Sequence, residues 1–306
     1  MRLHPAAGMR KTFPRASLSA PVAPDLDLKT RLRPSYVPMK PVSKTAYYCC
    51  AVRALDAATA SPVCGDTFAD RFMTPEAWQT FEPFRDLGPP NASNVARHRM
   101  IDDVLRARLA VRPDAGIVIL GAGFDTRAFR LMGGRWIELD EPAVIERKEA
   151  LLPTRDAPNP LTRVSIQFDR EPLAAALAPF RDLVEPIVVL EGVLPYLTGT
   201  EIAALARTVR AAWPNPTLVC DLMTGTFSRR YGGRIGRRLR ELGASWRPFE
   251  GEALPLIEAA GFRLETRESV VSYAAARGTV RVPRWLLGTL LRSLRDGYSI
   301  ASFRPV

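Results

Sequence analysis

IVILGAGFDTR, residues 117–127, is the stretch whose reading decides the fold. Four aliphatic residues, three of them β-branched, break into Gly121-Ala122-Gly123 and then into residues that can open a helix. This is the pattern of a buried strand, a tight turn and a helix N-terminus. Glycine allows positive φ and removes the Cβ, so the backbone can pass close to a ligand. The N–H groups of the first helical turn then face that ligand. Alone, the stretch also fits a strand followed by a flexible loop, so its neighbours must decide.

Downstream the pattern recurs. Apolar runs predict strands at 117–120, 136–139, 164–168, 187–190, 217–222 and 262–271, separated mostly by helical segments such as 201–212 and 252–260. Alternating strands and helices argue for a mostly parallel sheet covered on both faces, which binds ligands beyond the carboxyl ends of its strands. Polar residues gather at those ends: residues 121–125 after the first strand, Glu138 and Asp140 at the second, Asp169 and Arg170 at the third, Glu191 and Gly192 at the fourth. One acid after a strand is commonly a helix cap. Four consecutive ends with Gly or acid on one rim point to a ligand.

Upstream, residues 92–112 form an amphipathic helix with Arg97, His98 and Arg99 near its start, where an arginine could reach an anion at the glycine turn. A further helix is expected to begin near Ser43 as N-cap, with Lys44 in its first turn, a place that favours a nearby anion. Residues 1–42 are basic and proline-rich, and an irregular arm, or an extended start preceding Met9 or Met39, is expected there.

The formal charge is +11, but residues 1–45 carry nine basic and two acidic side chains, leaving +4 for the other 261 residues. The body is only mildly basic, so general nucleic-acid affinity is not expected. Cys49, Cys50, Cys64 and Cys220 contain no C-x-x-C pair, and histidine occurs only at His4 and His98, so neither a metal site nor a disulfide framework is expected. Free thiols fit a reducing cytoplasm. No apolar run is long enough to span a bilayer. Oligomeric state is not legible.

Asp140 lies 19 residues beyond Gly121, about where nucleotide-binding folds place the carboxylate that accepts from ribose hydroxyls. A nicotinamide dinucleotide and S-adenosylmethionine both offer adenosine, but the turn separates them. Three residues after Gly123, where a dinucleotide fingerprint wants a third glycine, stands Thr126, and Asp125 would face a pyrophosphate with like charge. A phosphate-free cofactor bearing a cationic sulfonium suits this rim better.

LGAGFDTRAFRL, with ELDEP at the second strand, LEGVLPYL at the fourth, VSKTAYYCCAVRALDA and ARHRMIDD upstream and YSIASFR at the end, resembles the leucine carboxyl methyltransferase family of S-adenosylmethionine-dependent enzymes. The similarity runs from Val42 to Arg304. It implies an α/β, Rossmann-like class I methyltransferase fold with a seven-stranded, mostly parallel sheet, its last strand antiparallel and formed by residues 298–304. A helical cover over residues 43–112 and a lid-like insertion at 224–250 complete the expected methyltransferase domain, residues 43–306. The same resemblance implies that Gly121 contacts the cofactor, that Asp140 holds the ribose, and that Asp169, with Arg170 beside it, lies by the adenine. Glu191 is expected to line the cofactor pocket, Arg97 to meet the methionine carboxylate, and Lys44 to make an N-terminal cofactor contact. Pro195 departs from the family pattern and alters the pocket wall beneath Tyr196, a candidate substrate contact.

Methyl transfer from a sulfonium is an in-line displacement, so the protein chiefly aligns the reactants and excludes water. A carboxylate acceptor is ionised at pH 7 and needs no base, whereas an alcohol needs one, most often histidine. With only His98 in the body, a carboxylate acceptor, or a phenol activated by local carboxylates, is favoured over an aliphatic alcohol, and the expectation is an O-methyltransferase forming a methyl ester on a small-molecule or peptide acid. No catalytic side chain is assigned. Six arginines between Arg229 and Arg240 suggest a lid that recruits an anionic acceptor through Arg237 and Arg238, hinged at Gly232-Gly233. Arg281, Arg284, Arg292 and Arg295 are expected on one later amphipathic helix. The alternatives are an RNA-modifying methyltransferase and a non-catalytic cofactor-binding protein.

Overall fold

The computed structural model describes residues 38–244, 246, 252–280 and 282–306. Most of the expected arm, Ser245 and residues 247–250 of the expected insertion, and Arg281 lie outside the described residues. In chain order the helices and strands are α1 (Pro41–Ala57), α2 (Pro75–Phe81), α3 (Gly88–Val111), β1 (Gly116–Leu120), α4 (Arg127–Arg130), β2 (Arg135–Asp140), α5 (Pro142–Leu151), β3 (Leu161–Ser165), α6 (Leu173–Leu177), β4 (Ile187–Leu190), α7 (Gly199–Ala212), β5 (Thr217–Met223), α8 (Gly225–Tyr231), α9 (Gly233–Glu241), α10 (Ala253–Ala259), β6 (Phe262–Ser269), α11 (Val270–Ala276), α12 (Arg284–Gly288), α13 (Arg292–Asp296) and β7 (Tyr298–Pro305).

The strands form one sheet in the order β3-β2-β1-β4-β5-β7-β6. β7 runs antiparallel to both its neighbours, while the other strand pairs are parallel. Alternation within β1 shows how the sheet acquires two cores: Ile117 and Ile119 enter the cluster that holds α1, α3 and α11, whereas Val118 and Leu120 enter the one that holds α6, α7 and α10. The cover is anchored by Phe72, Phe81 and Phe84, all almost fully buried, each contributing about 1.5–3 kcal/mol. Strand order reverses between β1 and β4, which opens a crevice at the carboxyl ends of the strands.

Four expected boundaries are corrected. α1 starts at Pro41, with Lys40 as its N-cap residue and proline in the first turn, so Ser43 is inside the helix; proline at that place loses no intrahelical bond. β3 lies at Leu161–Ser165 instead of 164–168, in register with β2 from Trp136↔Leu161 to Asp140↔Ser165. Arg163 lies inside this strand, with its guanidinium buried against Glu138 and Glu149. β6 ends at Ser269, whose hydroxyl accepts from Ser272 N–H and caps α11, so the β-branched pair Val270-Val271 is helical. The later amphipathic helix divides into α12 and α13 around Thr289; Trp285 and Leu290 are exposed while Leu287 is buried.

Candidate active site

The crevice widens into a cavity of about 1100 Å³ lined by the ends of β1, β2, β4 and β5, by α1 and α3, and by α8 and α9. Gly121 and Gly123 both adopt positive φ, and a Cβ at Gly121 would come within 2.8 Å of Val193. The turn can therefore only be made without a side chain. Gly123 N–H donates to Asp140 Oδ2 at 2.6 Å and Glu141 N–H to Asp140 Oδ1 at 2.7 Å, tying the end of β2 to the turn after β1. Burial pushes the Asp140 carboxyl up to about 6 against these two donors.

Arg97 reaches the same cavity from α3. Its Nε donates to Glu191 Oε1 at 3.1 Å and its Nη1 to Asp221 Oδ2 at 3.3 Å and Tyr298 Oη at 3.1 Å. Among the described residues Nη2 donates only to Cys49 Sγ, at 3.7 Å, which leaves its second N–H available. Gly192, at φ +70°, makes room for this guanidinium: a Cβ there would stand 3.2 Å from Nη1. Asp221 also accepts from Gly192 N–H at 2.7 Å.

Behind this wall lies a buried ion network. Arg127, fully buried, pairs with Asp102 at 2.6 Å, with Glu191 at 2.8 Å and with Asp125. Arg130 bridges Asp102 and Asp66, and Arg53 pairs with Asp66. His98 Nε2 lies 2.7 Å from Arg130 Nη2, and Nδ1 lies 3.1 Å from Glu191 Oε2 and 2.9 Å from Arg127 Nη2, so both ring nitrogens are held inside the network. Burial, then the Arg127 charge, hold His98 below its usual value. Glu191 is held well below the carboxylate range, burial being overcome by Arg127, His98 and Arg97. Asp102 is likewise held low by Arg127 and its neighbours against the effect of burial. His98, Asp125 and Glu191 converge as ligand atoms could, but the Arg127 guanidinium fills their centre. Within this network five arginines, Arg53, Arg97, Arg106, Arg127 and Arg130, face five carboxylates, those of Asp66, Asp102, Asp125, Glu191 and Asp221, so its charges balance.

Of the residues singled out in the sequence, Gly121, Gly123, Asp125, Asp140, Arg97, Glu191, Asp169 and Tyr196 line the cavity. Asp125 does so with its carboxylate turned onto Arg127, so it offers less open charge than the rim pattern implied. Four do not line it. Lys44 is exposed on the outer side of α1, and the lysine at the rim is Lys40, whose Nζ bridges Asp169 at 2.8 Å and Glu141 at 3.0 Å. Arg170 is exposed beyond Asp169. Arg237 and Arg238 point to solvent, Arg238 onto Glu241, because they fall on the outer face of α9. Glu138 leaves the acidic rim as well: it is buried against Lys148 at 2.8 Å and Arg163 at 3.0 Å.

Sequence reasoning missed Asn94, Phe168, Glu141, Asp221 and Tyr298, all of which line the cavity. Asp221 left a signal, a lone charge inside the apolar strand TLVCDLM, which had to be paired when buried. Asn94 stands one turn before Arg97 on the same helix; its Oδ1 is buried without a hydrogen-bond partner among the described residues.

A seven-stranded sheet with an antiparallel last strand, and a ligand cavity at the β1–β4 switch point, define a Rossmann-like class I methyltransferase fold. A family model described as leucine carboxyl methyltransferase matches residues 46–210, just over half of the chain. The chain belongs to that family and is an S-adenosylmethionine-dependent methyltransferase. It is 28% identical over 197 residues to the tetracenomycin polyketide synthesis O-methyltransferase TcmP of Streptomyces glaucescens, a match spanning 63% of this chain and 70% of that protein. A Frankia alni protein with the provisional name S-adenosyl-L-methionine-dependent methyltransferase FRAAL3836 is 32% identical over 169 residues, 52% of this chain and 60% of its own length. The crystal structure of a DUF574 family protein from Streptomyces avermitilis superposes with a TM-score of 0.54 at 12% identity, covering 84% of this chain and 97% of that one, and so shares the fold. No helix among the described residues is long and apolar enough to cross a membrane.

Proposed function

We propose that this chain transfers a methyl group from S-adenosylmethionine to an oxygen of a small-molecule acid, forming a methyl ester. The cofactor supplies an electrophilic methyl group on a cationic sulfonium. The residues present fit it: the side-chain-free turn at Gly121 and Gly123 admits a close ligand, the available Nη2 of Arg97 suits the methionine carboxylate, and the orphan Oδ1 of Asn94 can accept from its ammonium. Asp140 keeps lone pairs free after accepting two N–H groups, enough for ribose hydroxyls, and Phe168 beside Asp169 offers the adenine an apolar neighbour. Glu191, fixed from three sides, holds Arg97 in place.

The observation that carries the ester reading is the state of His98. It is the histidine of the described residues, its two ring nitrogens are both engaged, and it does not line the cavity. The Tyr196 and Tyr48 hydroxyls in the wall are pushed up by burial, away from the ionised form a base would need. A carboxylate acceptor requires no base, so the chain's work is positioning and exclusion of water. TcmP, an O-methyltransferase by name, supports oxygen as the acceptor atom. Incubation with methyl-labelled cofactor and candidate acids, followed by mild alkali, tests the reading: volatile label released as methanol supports it, and alkali-stable label would overturn it.

A further inference from the structure

Beyond the cofactor half, the cavity changes character. Phe227, Tyr231, Ile235 and Leu239 follow one another at every fourth residue through α8 and α9 and all face inward, with Val282 and Leu294 among those opposite. Of the six arginines in this segment only Arg234 lines the cavity, and it makes no ion pair with any described residue. The volume of about 1100 Å³ exceeds the roughly 300–1,000 Å³ that serve a single drug-sized ligand, so a second molecule has room beside the cofactor.

Building on the cofactor placement proposed above, we infer that α8 and α9 form the acceptor-selecting wall, and that the acceptor is a bulky, ring-bearing apolar acid, not a peptide. An extended peptide on this stripe would bury amide N–H and C=O groups against Phe227, Ile235 and Leu239, which offer them no partner. A ring body has no such groups and gains from removing those side chains from water. Arg234, at the edge of the stripe, supplies one cation for an anionic substituent, while the other arginines of the segment are spent on solubility at the outer face.

The probe is 1-anilinonaphthalene-8-sulfonate, an apolar ring-bearing anion, titrated by fluorescence into the full chain saturated with S-adenosylhomocysteine. One-to-one binding is expected, weakened at least tenfold by Ile235→Asp and about threefold by Arg234→Ala, while calorimetric affinity for S-adenosylhomocysteine stays within twofold of the parent. Ile235→Ser serves if Ile235→Asp does not melt as a folded protein, with a threefold loss expected. Probe affinity unchanged in the folded variants, or competition by acidic peptides at equal concentration, would overturn the inference. Loss of S-adenosylhomocysteine binding from the parent protein would instead overturn the cofactor placement, whatever the probe does.

Discussion

The two halves of the cavity are built from opposite materials. The cofactor half is walled by buried charge, with Arg97, Arg127, Glu191 and Asp221 locked to one another, while the acceptor half is walled by Phe227, Tyr231, Ile235 and Leu239. Charge held in a dry network is rigid, because each group that moves abandons a buried partner. An apolar wall lacks that constraint and can be re-cut by single substitutions at little cost to the rest of the site. On the proposed placement the contrast is a division of labour: the charged half would present a fixed seat for one cofactor, and the apolar half would decide what is methylated.

The most severe way to break the contrast is at its buried centre. Arg127→Ala leaves Asp102, Asp125 and Glu191 without their shared cation and should cost about 3–5 kcal/mol in stability, read as a lower midpoint in urea unfolding. Arg127→Lys should recover little of it, since one ammonium cannot serve three carboxylates at once. At the rim the effect should fall on binding instead. Asp140→Ala should weaken S-adenosylmethionine by about 1.5–3 kcal/mol, the range for hydrogen bonds to a charged group, measured by calorimetry, with thermal unfolding little changed.

The raised carboxyl of Asp140 gives a pH signature. On the proposed placement the ionised form would hold the ribose hydroxyls, and in the free protein burial raises this carboxyl to about 6. Affinity should therefore be flat above about pH 7 and fall as pH drops through 6, by up to tenfold per unit, because binding must then expel that proton. Asp140→Asn should remove this dependence. A profile unchanged in Asp140→Asn would assign the titration to another group.

The smallest effect sharpens the contrast from the other side. Charge reversal at both Arg237 and Arg238, which face solvent on α9, should change acceptor KM and cofactor affinity by less than about 0.5 kcal/mol, seen in steady-state kinetics once an acceptor is in hand. A large rise in acceptor KM would restore a recruiting role for the outer face.

These two regions also differ in how far the sequence disclosed them. The cofactor half was legible because its groups sit at strand ends fixed by local rules: a turn that only glycine can make at Gly121, an acid at the end of β2, an acid-glycine pair at Glu191-Gly192. What stayed hidden there depended on pairing across the chain. Glu138 looked like rim acid until Lys148 and Arg163 were seen to bury it, and Asp221 sat unremarked in an apolar strand although it fixes Arg97. Lys40 and Lys44 are one helical turn apart, and only the position of α1 decides which reaches Asp169. In the apolar half the sequence drew attention to the six arginines that dominate its composition, of which only Arg234 lines the cavity. The role proposed for this half follows from the residues between them, whose four-residue spacing became meaningful only when the cavity showed which side of α9 is inward.

One measurement tests the division of the cavity most directly: a crystal structure of the chain with S-adenosylhomocysteine. The account predicts the ligand carboxylate within hydrogen-bond distance of Arg97 Nη2, the ribose hydroxyls on Asp140, and no ligand atom in contact with Ile235 or Leu239. Adenosine packed against the α8–α9 stripe, with Asp140 untouched, would contradict it.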